Sequence, residues 1–298
     1  MPQPHAHVPH HGTQHAPHHG SQHDPRHRHD AEGQADMLDL DAEVLSEHIA
    51  AITDWLPLQT PPGRIVDLGC GTGAGTFALL DRFPTAHVTA VDSSAEHLQR
   101  LRDKARALGL EEHVRTLRAD LDGADWPDLG TPDLVWASAS MHHMAHPDRA
   151  LRKVHDTLAP GGLFTVVELA GFPRFLPASA PEDRPGLEER CHAASDQQHA
   201  EHVTHRGADW GAMLAAAGFA LEAERTLTVS IDGSHNEAVG AYALAGLRRI
   251  RGSVAEVLDA EDLAALDRLL DTDSARSILR RDDLAVRTER AVWAARRD

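Results

Sequence analysis

Three acidic residues, each closing an apolar stretch with strand character, pose the chemical question: Asp67 in IVDLGCGTGAG, Asp92 in HVTAVD and Asp120 in VRTLRAD. After the first comes a glycine-rich turn, Gly69, Gly71 and Gly73 with Cys70 inside it, of the kind that lets a nucleotide approach the backbone at a helix N-terminus. No lysine follows in the turn, so the triphosphate cradle G-x-x-x-x-G-K-[ST] is excluded. Gly69, Gly71 and Ala74 satisfy the relaxed dinucleotide fingerprint. Asp67, however, lies two residues before the first glycine, where it would face a pyrophosphate. Two like unit charges about 4 Å apart cost roughly 4 kcal/mol at an effective dielectric near 20. A ligand presenting an amino group there turns that cost into attraction. Asp92 stands about 20 residues beyond the turn, where a carboxylate takes ribose hydroxyls. Asp120 could accept from an adenine amino group. The set of three points to an adenosyl ligand, and Asp67 to one that is cationic and free of phosphate.

Proton-transfer candidates lie farther along. His142 and His143, in SMHHM, follow an apolar stretch, and Glu168 closes GLFTVVEL. A histidine titrates near neutral pH and can take a hydroxyl proton; of the two, His142 ranks slightly ahead. Their adjacency argues against both facing one ligand. Glu168 either acts in the site or pairs with an arginine such as Arg174. His199, His202 and His205 recur every third residue near Cys191 and His192. They could form a metal site or a polar pocket wall, but an exposed histidine-rich stretch is the simpler reading, and no defined metal site is expected. Tyr242 is a lesser candidate for the pocket wall, and Trp210 and Met213 read as core.

The elements that must hold these residues alternate. Strands are expected at RIVDL, HVTAVD, VRTLRAD, DLVWASA and GLFTVVEL. Helices are expected at Gly73–Arg82, at Ser94–Leu108 (opened by a serine cap) and at Pro147–Leu158 (with proline in its first turn). This βαβ order predicts a parallel sheet covered on both faces. The strands end where the acids stand, and ligands bind at the carboxyl edge of such sheets. A further helix, DWGAMLAAAG, precedes the strand AERTLTVSI. A helical region over about Asn236–Leu279 precedes the closing strand VRTERAVWAARR, so the sheet should end in an antiparallel pair.

These stretches carry a resemblance. VDLGCGTG resembles motif I of the class I S-adenosylmethionine-dependent methyltransferases; VTAVDSS and RADL look like that family's second-strand acidic motif and its adenine-contacting one. PDLVWASASMHHM followed by ALRKVHDTLAPGGLFTVVE is similar to the fourth strand, next helix and fifth strand of its small-molecule branch. The likeness is close over residues 64–169 and weaker in the later AAAGF to TLTVSI region. It implies a Rossmann-like, doubly wound, seven-stranded α/β sheet, mostly parallel with an antiparallel last strand, with helical insertions. It also implies S-adenosyl-L-methionine as cofactor and methyl transfer to O, N or C of a small molecule. Carried onto these positions, it gives Asp67 the methionyl amino group and Gly69, Cys70, Gly71 and Gly73 the close backbone approach. It gives Asp92, with Ser93, the ribose; Asp120 the adenine amino group, with Leu121 packed on the ring; and Ala137 and Ser138 the methionyl part. The alternatives are a cofactor- or metal-binding protein of the same fold without catalysis, and an NAD-dependent oxidoreductase, which Asp67 disfavours.

Composition bounds the rest. The 298 residues carry a formal charge of −17 and 41% hydrophobic residues, enough for a core and too acidic to favour nucleic acid as partner. No stretch approaches the 18 apolar residues of a membrane span. Two cysteines far apart in sequence and the lack of a signal-like N-terminus fit the cytoplasm. Residues 1–35 are rich in histidine, proline and glycine, without apolar periodicity, and read as a disordered tail with adventitious affinity for divalent metal. The methyltransferase domain is then 36–298: cofactor core 64–170, a lid or substrate region 171–206, and a helical insertion 236–282. A monomer or homodimer is expected.

Overall fold

The computed structural model describes residues 25–199, 205–234 and 236–298. Two helices come first, α1 (Pro25–Val44) and α2 (Ser46–Trp55). The alternation follows: β1 (Arg64–Leu68), α3 (Ala74–Arg82), β2 (His87–Asp92), α4 (Ala95–Ala107), β3 (Val114–Arg118), β4 (Leu134–Ser138), α5 (Pro147–Thr157) and β5 (Leu163–Leu169). Then come α6 (Leu187–His199), α7 (Trp210–Ala216), β6 (Ala220–Asp232), α8 (Glu237–Ser253), α9 (Ala260–Leu270) and β7 (Ala285–Arg296). The seven strands form one sheet in the order β3-β2-β1-β4-β5-β7-β6. The ladders from β3 through β5 are parallel, while β7 runs antiparallel to both β5 and β6.

The central strands β1, β4 and β5 are almost wholly buried, as continuous apolar runs sandwiched between two helical layers must be. One apolar cluster joins the sheet to Leu151 and Val154 of α5 and to Trp210 and Leu214 of α7. Another joins the opposite face to Ile52 of α2 and Leu79 and Leu80 of α3. Local signals start the helices where expected: Ser94 Oγ accepts from the His97 amide at the head of α4, and Pro147 occupies the first turn of α5.

Two features depart from expectation. Helix begins at Pro25 rather than after residue 35, and Ala35 is fully buried, so residues 25–35 are helical rather than part of a tail. Residues 1–24, with most of the histidine-rich stretch, lie outside the described residues. Second, the segment 171–206, expected as a lid or substrate region, contains α6. The register explains what α6 packs on. β7 leaves β5 at the Leu169–Arg290 pair, yet β6 and β7 stay paired to Asp232 and Ala285. That overshoot supplies Val229 and Val286 to a third apolar cluster, with Val44 and Leu45 of α1, Leu187 and Cys191 of α6, Leu247 of α8 and Leu266 of α9. The expected helical insertion is thus α8, α9 and a short 3-10 turn at Ile278–Arg280.

Candidate functional site

The carboxyl ends of the parallel strands open into a cavity of about 480 Å³, roofed by α1 and α2. The turn after β1 forms its floor. At Gly69, φ is +67°, and a Cβ would stand 2.4 Å from Ser140 Cβ, so only glycine lets the turn lie against the end of β4. At Gly75, a Cβ would meet Trp136 Nε1 at 2.5 Å and Asp67 Oδ2 at 3.3 Å, so its absence leaves Asp67 its place beneath the helix start.

Asp67 lines the cavity, is 2% exposed and accepts a 2.7 Å hydrogen bond from Thr76 Oγ1. Burial pushes its carboxyl up to about 7; the Thr76 hydroxyl opposes the shift and the Asp92 charge adds to it. Asp92 is the converse case. Burial alone would raise it, but His97 and the Ser94 and Gly71 amides outweigh that and hold it below the usual range. Its oxygens accept from Gly71 N at 2.9 Å and Ser94 N at 2.8 Å, with His97 Nδ1 at 3.3 Å. The two carboxylates are thereby driven apart: Asp67 is pushed toward its neutral form and Asp92 toward its ionised one.

Gly69, Cys70, Gly71, Ser93, Asp120, Leu121 and Ser138 also line the cavity. Asp120 stands exposed on the rim and accepts from the Asp122 amide. Two expected cofactor residues do not line it. Ala137 is fully buried in the sheet core, and Gly73 serves as the left-handed cap of α3, packed against Phe77 and Leu101. The Cys70 thiol is buried, which raises its pKa well above the ordinary thiol value and leaves it a poor nucleophile.

The three proton-transfer candidates separate. His143 lines the cavity, whereas His142 and Glu168 do not. His142 is 4% exposed, and its Nδ1 lies 2.5 Å from Glu168 Oε2 while its amide donates to Oε1 at 3.1 Å. Glu168 therefore pins the 3-10 turn Met141–His143 from behind, so that of the two adjacent histidines it is His143 that faces the cavity; Arg174 bonds Glu189 and His192. The His143 ring stands 4.1 Å from that of His142. Burial, then the neighbouring His142, lowers His143 to about 4, so it is neutral at pH 7. The chain turns toward it through Ala139, whose φ of +51° is unusual for a residue with a Cβ.

Among the described residues, 171–206 contribute nothing to this cavity; its roof is Gln34, Leu38 and Asp41 of α1 with Ile49 of α2. The expected lid packs instead on the helical layer, because its apolar residues Phe175, Leu176 and Leu187 find their partners there. The side chain of His199 and all of His202 lie outside the described residues, and no group of three or more metal-ligating residues occurs among those described. Tyr242 is buried beside the cavity and reaches it only through Asp41, to which its hydroxyl donates at 2.5 Å. Asp41 and Arg290 were not anticipated. Arg290 is 5% exposed, lines the cavity, and donates through Nη2 to Asp41 at 3.0 and 3.2 Å. Its signal was an arginine on the inward phase of an alternating strand, in register with Val286, Thr288 and Val292.

Residues 65–162 match the family model described as a methyltransferase domain. The demethylmenaquinone methyltransferase of Thermus thermophilus is 38% identical over 119 residues, 40% of this chain and 53% of that protein. The trans-aconitate 2-methyltransferase of an Acidovorax species is 34% identical over 123 residues, 41% of this chain and 45% of that one. The chain spans about half the length of these relatives. Among solved structures, a Bacillus halodurans protein has a TM-score of 0.53 at 16% identity, covering 84% of this chain and 98% of the other. The YcgJ protein of Bacillus subtilis has a TM-score of 0.52 at 18% identity with the same coverage of each. The shared fold is the Rossmann-like sheet described above.

Proposed function

We propose that this chain, which carries a methyltransferase domain over residues 65–162, catalyses methyl transfer from S-adenosylmethionine to a small-molecule acceptor. The observation that carries the proposal is the carboxylate pair: Asp67, buried and costly to ionise alone, beside Asp92, held ionised by His97 and two backbone amides. A cation bound against Asp67 recovers the cost of ionising it, which suits the methionyl ammonium and not a pyrophosphate. The names of the relatives, methyltransferases of a quinone precursor and of an organic acid, support the same class.

The residues fit this cofactor. Asp67 would hold the amino group, Asp92 the ribose hydroxyls, Asp120 and Leu121 the adenine, and the Gly69–Gly71 backbone and Ser138 the methionyl chain. When bound, S-adenosylmethionine supplies a methyl carbon on a positively charged sulfur. The protein's part is to align the acceptor with that carbon, exclude water beneath α1 and α2, and take a proton where the acceptor carries one. His143 is the group placed for that last task, being uncharged at pH 7 and exposed to the cavity. His142 and Glu168 position it.

Thermal-shift measurements with S-adenosylhomocysteine, NAD and Ni²⁺ test the reading. Stabilisation by S-adenosylhomocysteine but not NAD is expected. The reverse pattern would favour an oxidoreductase, and a shift with Ni²⁺ alone would favour a metal-binding protein without catalysis.

A further inference from the structure

Helix α4 buries His97, Leu98, Leu101 and Ala105, and of these His97 alone is polar. Leu98 and Leu101 pack with Cys70 and Ala90, as residues on a buried helical stripe must. His97 is 7% exposed and lines the cavity at its adenosyl end, yet among the described residues neither ring nitrogen, both buried, makes an aligned hydrogen bond. Burying an imidazole in this way costs free energy that a leucine at the same position would not. What the ring faces is Asp92: Nδ1 stands 3.3 Å from Oδ1. The backbone is fixed at this point by the Ser94 cap, whose Oγ accepts from the His97 amide at 3.2 Å. The hydrogen bonds on Asp92 come from main-chain amides, Gly71 N on Oδ2 and Ser94 N on Oδ1. Each leaves its oxygen a lone pair. The ring, at ion-pair distance rather than in an aligned bond, leaves both of these open. The carboxylate thus keeps one acceptor site on each oxygen, the number that two vicinal ribose hydroxyls require. Burial would raise the Asp92 carboxyl, and His97 leads the groups that hold it below its ordinary range.

We propose that His97 is a positioning residue for ribose recognition: facing Asp92 through Nδ1, it keeps that carboxylate an acceptor for two hydroxyls, and so makes the site select a cofactor that bears both. This rests on the methyltransferase reading above, with Asp92 on the ribose. A neutral carboxylic acid in the same place would present an O–H in exchange for one of its acceptor sites, and one ribose hydroxyl would lose its partner. A neutral imidazole carries a single N–H, and the carboxylate beside Nδ1 favours the tautomer with the proton there. Nε2 is then the idle nitrogen, which accounts for its burial without a partner.

The test is calorimetric titration of S-adenosylhomocysteine and its 2′,3′-dideoxy analogue into the full chain and into His97→Leu, His97→Asn and His97→Gln. The wild type is measured first. No binding of S-adenosylhomocysteine overturns the methyltransferase reading, and this proposal with it. Equal binding of the two ligands leaves the cofactor in place and overturns this proposal alone. The expected result is a wild-type preference for the ligand with both hydroxyls. His97→Leu should reduce that preference about tenfold by weakening S-adenosylhomocysteine, with affinity for the dideoxy analogue unchanged within about twofold. A merely structural role would weaken both ligands alike. An asparagine amide stands where Nδ1 stood and should restore the preference to within about threefold of wild type; a glutamine amide reaches the Nε2 position and should not. Equal losses for both ligands, an undiminished preference in His97→Leu, or a glutamine that restores as well as asparagine would overturn the proposal. The contrast between asparagine and glutamine keeps the test decisive if His97→Leu does not fold.

Discussion

Replacing Asp67 by asparagine should make the protein more stable and less able to bind its cofactor. Burial lifts the Asp67 carboxyl from 3.8 to about 7. In the folded protein the group holds its proton over a pH range in which the unfolded chain has released it. Stability is therefore undiminished below about pH 4 and falls as pH rises through 7. A shift of about three units corresponds to about 4 kcal/mol at pH 8. Asparagine keeps the shape and can still accept from Thr76 Oγ1, but it does not titrate. Denaturant unfolding of ligand-free protein should show Asp67→Asn and wild type within about 1 kcal/mol of each other at pH 4.5. At pH 8 they should diverge by as much as about 4 kcal/mol, a rise in Tm on the order of 10 °C. Calorimetry with S-adenosylmethionine at pH 8 should show the opposite sign. Losing a carboxylate about 4 Å from an ammonium forgoes about 4 kcal/mol, close to a thousandfold in affinity. A variant no more stable than wild type at pH 8, or one that binds equally well, would refute the reasoning.

Three further outcomes follow from the same geometry. Cofactor affinity of the wild type should fall as pH drops below about 7, with proton release on binding near pH 7 seen as a buffer-dependent calorimetric heat. If His143 is the base with its pKa lowered toward about 4, kcat at saturating cofactor should stay flat from pH 8 to 5; an acid limb near 6.5 would contradict that lowering. Gly75→Ala should cost about 1–3 kcal/mol in denaturant unfolding and weaken S-adenosylhomocysteine binding, since its Cβ presses on Trp136 and Asp67; unchanged binding would separate Asp67 from the cofactor.

What could be read in the chain was whatever local chemistry dictates. β1, β4 and β5 are buried on both faces, so they appear as unbroken apolar runs, and the turn at Gly69–Gly73 is marked by glycines at positive φ. Asp67, Asp92 and Asp120 stand at or just beyond the carboxyl ends of their strands, and the parallel topology alone brings them to one edge. The start of α1 was hidden because its first turns are polar and histidine-rich, and its buried Ala35 is too small to mark a face. α6 was hidden because its sequence, LEERCHAASDQQH, lacks a clear apolar stripe; it is held by contacts from Val229, Leu247 and Leu266, all distant in sequence. Asp41 and Arg290 meet across 249 positions of chain, a pairing that no local pattern reveals. The division of labour between His142 and His143 was equally invisible, since it depends on which ring reaches Glu168 on β5.

The most direct measurement is a crystal structure of the full chain with S-adenosylhomocysteine. The ribose hydroxyls are expected on the Asp92 carboxylate, the amino group against Asp67, and the sulfur directed toward His143. A ligand bound elsewhere, or seated in this cavity with its ribose away from Asp92, would contradict it.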